Sequence, residues 1–132
     1  MARRLMSAAV TATAGFALVV AVPGSASAAS VSVSNSYGTA HFEANGEVLK
    51  ITDYAADGYS VHANLERYYK PNISFPVGWY NLRSGCYDTT GKGDPETTCN
   101  YSFDEGYKVR IYLWAEKNGR RVGTKYSASI RS

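Results

Sequence analysis

The sequence predicts an all-β protein, an antiparallel two-sheet sandwich or small barrel of about seven or eight strands closed by one disulfide. Three observations carry this. Apolar residues recur with a period of two in several separate runs. Asn45-Gly46 and Asn118-Gly119 sit between such runs, as two-residue hairpin turns require. Cys86 and Cys99 are the chain's two cysteines, an even count that one bridge satisfies.

The chain opens on a different pattern. Arg3 and Arg4 precede an uncharged run from Ala8 to Val22, Pro23-Gly24 breaks it, and Ala26-Ser27-Ala28 supplies small residues for cleavage. This reads as a secretory signal peptide over 1–29, cut after Ala28 or Ala29, because the apolar run is too short to span a bilayer. A single secreted β domain over 30–132 is expected to follow, extracellular and monomeric, with no membrane span after cleavage.

Strands are expected near 31–36, 39–44, 47–53, 59–68, 77–84, 99–103, 107–116 and 121–130. In the fourth, Tyr59, Val61, Ala63 and Leu65 alternate with Ser60, His62, Asn64 and Glu66. In the seventh, Tyr107, Val109, Ile111, Leu113 and Ala115 alternate with Lys108, Arg110, Tyr112, Trp114 and Glu116. In the eighth, Val122, Thr124, Tyr126, Ala128 and Ile130 alternate with Arg121, Gly123, Lys125, Ser127 and Ser129. A period of two marks a half-buried strand, and by this alternation Tyr59, Tyr107 and Tyr126 are assigned to the core. The stretch YKPNISFPV at 69–77 holds two prolines and is expected to be a long loop.

Pairing Cys86 with Cys99 closes a ring over CYDTTGKGDPETTC. In an exported chain the bond is expected to persist and to add roughly 3 kcal/mol. Without Arg3 and Arg4, 12 basic residues stand against 11 acids, so the pI of ≈ 8.9 belongs to the precursor. No basic stripe remains for a phosphate backbone, and nucleic acid is not an expected partner.

The segments GEVLKITDYAADGYSV at 46–61 and FDEGYKVRIYLW at 103–114 resemble the short secreted proteins common in actinobacteria, small β-sandwich-like domains of bacterial origin without an assigned activity. The resemblance implies location and fold class and carries over no catalytic residue.

Candidate sites follow from residue chemistry. Asp53 and Asp57, in ITDYAADGYS, are read first as turn residues that accept backbone N–H bonds ahead of Gly58. They are also calcium candidates, although the loop lacks the alternating oxygen pattern, and with Asp104 they are carboxylates for a small hydrolase. Gly91-Lys92-Gly93 fails as a phosphate loop in spacing and lacks a following helix. His41 and His62 have no nucleophile motif to serve and are expected to face solvent or form hydrogen bonds. No cofactor is implied.

The excess is aromatic. Tyr112 and Trp114 share a polar face with Lys108 and Arg110, and Tyr68, Tyr69, Trp79 and Tyr80 gather around the proline-containing loop. Such side chains suit sugar rings or a protein partner. The expected function is non-enzymatic binding of an envelope polysaccharide or protein through exposed aromatic and basic side chains. The rivals are a carboxylate-dependent extracellular hydrolase and a structural or inhibitor protein.

Overall fold

A computed structural model describes residues 29–69, 76–82, 85–88 and 96–132. The leader 1–28, most of the proline-containing loop and the centre of the disulfide loop lie outside them. The described residues form ten strands in two antiparallel sheets.

The smaller sheet is built from β1 (Ser30–Ser34), β2 (Gly38–Glu43), β3 (Val48–Asp53) and β7 (Thr97–Asn100), in the order β1-β2-β3-β7. The larger is centred on two ten-residue strands, β4 (Ser60–Tyr69) and β8 (Lys108–Lys117), paired from Ser60↔Glu116 to Arg67↔Val109. Each hands its other edge to two short strands. β4 takes β6 (Cys86–Asp88) and then β5 (Gly78–Asn81), while β8 takes β9 (Arg120–Tyr126) and then β10 (Ile130–Arg131).

The inward positions match the alternation. Val61, Ala63 and Leu65 of β4 and Val109, Ile111, Leu113 and Ala115 of β8 are fully buried, facing Ala40, Phe42, Leu49 and Ile51 of the smaller sheet. Close packing of such side chains, each Val, Leu, Ile or Phe stabilising by about 1.5–3 kcal/mol, holds the sheets together. The disulfide Cys86–Cys99 crosses between them, joining β6 to β7 with Cα atoms 6.1 Å apart.

Three expectations are corrected. The expected strand 77–84 ends at Asn81, and the separate β6 lies within what reads as the disulfide loop. The expected strand 121–130 stops at Tyr126. There Ser127 leaves the ladder, its Oγ accepting from the Ile111 N–H at 2.8 Å while its own N–H reaches the Ile111 carbonyl at 3.0 Å. Tyr126, assigned to the core, is 50% exposed.

The reason is a β-bulge. β9 pairs Val122↔Ala115 and Lys125↔Leu113, so Trp114 alone opposes both Gly123 and Thr124. One extra residue moves every later side chain to the other face of the sheet. Gly123 permits it with φ 63°, and a Cβ there would sit 3.0 Å from the Tyr37 ring.

The turns divide. Asn118 and Gly119 both take positive φ (51° and 72°) between the paired Lys117 and Arg120, as a two-residue type I′ hairpin demands. Between β2 and β3 the loop is longer, Ala44 to Glu47, and the positive φ values fall on Gly46 and Glu47. Glu47 is held from outside the hairpin: its carbonyl accepts from the Tyr101 N–H and its carboxylate from the Phe103 N–H.

Candidate binding face

Because β4 and β8 are in register, their outward residues fall in rows. His62 pairs with Trp114, Asn64 with Tyr112 and Glu66 with Arg110. Neighbouring strands extend the rows: Tyr87 beside His62, Trp79 beside Tyr68, and Tyr126 beside Tyr112 once the bulge has re-phased β9. Five strands therefore contribute to one surface on the outside of the larger sheet.

Its rings stack on one another. The His62 imidazole lies between Trp114 (centroids 5.2 Å apart) and Tyr87 (5.4 Å). Tyr112 contacts Trp114 at 4.8 Å and Tyr126 at 4.9 Å. Two guanidiniums complete the array. Arg110 sits 4.1 Å from the Tyr126 ring and 4.3 Å from Trp79, while its Nε donates to Glu66 Oε2 at 2.8 Å. Arg121 lies 4.2 Å over Trp114 and donates to the Tyr112 hydroxyl at 2.9 Å. Further along, Lys108 reaches the Tyr68 ring. Cation–π contacts of this kind are worth about 0.5–2 kcal/mol each. Burial, with Arg121 acting in the same direction and Glu116 against it, holds the His62 pKa below its usual range.

The eight residues expected to bind divide between two places. Lys108, Arg110, Tyr112, Trp114, Tyr68 and Trp79 share the outer face. Tyr69 and Tyr80 do not, because strand alternation sends them to the inward side with Arg67, at one end of the sandwich. Trp114 is also corrected. Expected as open surface, it is only 5% exposed, roofed by Arg121 and flanked by His62. The open rings are instead Tyr87 (57%), Tyr126 (50%) and Tyr68 (38%).

Tyr87, Tyr126, His62 and Arg121 were not among the expected binding residues. Arg121 was legible by counting back from the Asn118-Gly119 turn to its partner Glu116. Tyr126 needed the bulge, whose one sign is a glycine inside an apparent strand.

The candidate acids are dispersed. Asp104, in the β7–β8 connection, lies at the opposite end of the sandwich from Asp53 and Asp57, which bound the β3–β4 connection. Asp53 Oδ1 accepts from the Ala55 N–H at 3.0 Å and Asp57 Oδ1 from the Tyr59 N–H at 2.9 Å, with Gly58 at φ 78° between them and β4. These are the bonds of two Asx turns. Among the described residues no group of three or more His, Cys, Asp or Glu is placed to hold a metal ion. His41, on the outside of the smaller sheet, contacts Ser32 and Glu43.

Asp53 is nevertheless unusual, being buried with Oδ2 lacking a hydrogen-bond partner. Burial raises its pKa, and the charges of Asp57 and Asp88 add to the rise, while the Ala55 N–H opposes it. A carboxyl raised in the folded state binds its proton more tightly there than in the unfolded chain. It favours folding below its unfolded pKa, and that contribution is lost as pH climbs through the folded value. Asp53→Asn keeps the acceptor for Ala55 and removes the charge. Its melting temperature is expected to exceed that of the parent near neutrality, and the two to converge in acid. A constant offset across pH would contradict this assignment.

No family model, curated protein or solved structure matches the chain.

Proposed function

We propose that this is an exported binding domain that engages a protein partner outside the cell through the outer face of its larger sheet. The leader-like N-terminus, the disulfide and the resemblance to small secreted actinobacterial proteins support export. The observation that carries the choice of partner is the orientation of the rings. Flat sugar platforms need open ring faces, but here Tyr112, Trp114 and His62 spend theirs on one another, and Tyr126 lies between Tyr112 and Arg110. Hydroxyl edges and guanidinium groups remain for a ligand. Tyr, Trp and Arg in a pre-packed cluster are the composition of protein-interface hot spots.

The test compares the oxidised protein with a Tyr87→Ala/Arg121→Glu/Tyr126→Ala variant, using secreted-protein fractions and insoluble cell wall, chitin and cellulose as baits. Two of these side chains are at least half exposed and the third lies on the outer face, so the variant is expected to fold. A protein partner bound by the parent is expected to weaken by about 2 kcal/mol or more. Equal capture by both forms would remove the outer face from the reading. Retention on a polysaccharide that the variant loses would replace the protein partner with a glycan.

A further inference from the structure

At the end of the sandwich away from Asp53, the inward face of β4 changes character. Its positions run Val61, Ala63, Leu65 and then Arg67 and Tyr69. A cation at the margin of an apolar core carries a desolvation cost unless something answers its charge. The Arg67 guanidinium lies 4.6 Å from the Tyr107 ring centroid and 4.9 Å from that of Tyr69. Rings cover a guanidinium's faces but leave its N–H edge for hydrogen bonds. Among the described residues no carboxylate comes within ion-pair distance of Arg67, and no hydrogen bond engages its donors.

That edge adjoins open space. Two cavities, of ≈ 320 Å³ and ≈ 330 Å³, share Arg67 and Asn81 in their walls. These are at the small end of ligand sites, which run from about 300 to 1,000 Å³. One is completed by Ser102 and Asp104 among others, the second by Tyr69 and Tyr80. Tyr69 and Tyr80 meet edge-on, with an interplanar angle of 88°. Unlike the outer stacks, that contact uses at most one face of one of the two rings.

We propose that this cleft binds an acidic sugar residue, its carboxylate on the Arg67 fork, its ring against Tyr80 and its hydroxyls on Ser102 and Asp104. The guanidinium matches a carboxylate bidentately, while hydroxyl donors need acceptors of the kind Asp104 and Ser102 present. Asp104 also sets the charge of the ligand. A carboxylate opposite Arg67 disfavours a doubly charged phosphate and tolerates a single negative charge. The site lies on the other side of β4 from the outer aromatic face and stands or falls independently of it.

The probes are an oligogalacturonate, its methyl ester and a polyglutamate peptide, titrated calorimetrically into the full disulfide-bonded chain. The free acid is expected to bind, with its methyl ester and the polyglutamate at least about tenfold weaker, the loss of one charge-assisted hydrogen bond or more. Arg67→Gln is expected to weaken the free acid by a similar factor. Arg67→Lys, which keeps the charge but not the fork, falls between. Lys50→Ala, on the outside of the smaller sheet, leaves the affinity unchanged. Absent binding, equal binding of acid and ester, or an unaltered Arg67→Lys variant overturns the proposal. Polyglutamate binding as tightly as the sugar overturns its saccharide part. The acid-versus-ester comparison uses the unmodified protein, so a variant that fails to fold leaves the test intact.

Discussion

Arg110→Met is expected to destabilise the protein by about 3–5 kcal/mol, the cost of stranding one member of a buried ion pair. Glu66 is 9% exposed on the outward side of β4, and the Arg110 Nε–H is its charged partner at 2.8 Å. Arg110 in turn fills the space between Trp79 and Tyr126. Methionine retains much of the apolar stem and removes the charge, so most of the loss comes from the uncompensated carboxylate. Adding Glu66→Gln to the same chain is therefore expected to recover the greater part of it, since removing both charges of such a pair is often close to neutral. Urea unfolding of the parent, the two single variants and the double variant gives the coupling energy directly. A single-variant cost below about 1 kcal/mol would mean that the pair behaves as a solvent-screened surface contact. The ladder would then lose its central electrostatic support.

Removing the bridge, as Cys86→Ala/Cys99→Ala, is expected to cost about 3 kcal/mol, on the order of 10–20 °C in Tm for a domain of this size. The geometry makes the loss local first. β6 has three residues and pairs with β4 alone, and β7 has four and pairs with β3 alone. Each is a short margin strand whose tie to the opposite sheet is the disulfide. Amide exchange should therefore accelerate in 86–88 and 97–100 well before it does in the β4–β8 pair. If reduction leaves both the melting temperature and those exchange rates unchanged, the bond is an accessory to a sandwich that packing alone holds closed.

How much of this was legible follows from what a period of two encodes. The inward residues of β4 and β8 were readable because burial on one face imposes strict alternation over ten residues. The hairpin at Asn118-Gly119 was readable because few residue pairs accept two positive φ values in succession. Alternation says nothing, however, about where a count slips. Gly123 shifts it by one, so the sequence places Tyr126 inside and the structure places it outside against Tyr112. Nor does alternation tell an exposed outward face from a covered one. Trp114 lies on the expected side, but its roof is Arg121, seven positions away and brought back by the hairpin. That Trp79 joins Tyr68 on the outer face, while Tyr80 joins Tyr69 on the inner one, depends on the register of β4 with β5. The separation of Asp104 from Asp53 depends on the sheet order. Both are long-range facts that no local pattern contains.

The bulge has a second consequence, for self-association. β9 borders the larger sheet on the β8 side, where a regular strand would offer unpaired backbone groups as a template for a second chain. Instead it is bent at Gly123 and carries Arg120, Arg121 and Lys125, all exposed. Bends and cations on a border strand are the usual defences against edge-to-edge β-addition. The remaining border strands of that sheet, β5, β6 and β10, are four, three and two residues long, too short to seed it. The borders of this sheet are thereby poor templates for strand addition, and contacts with it fall to its side chains.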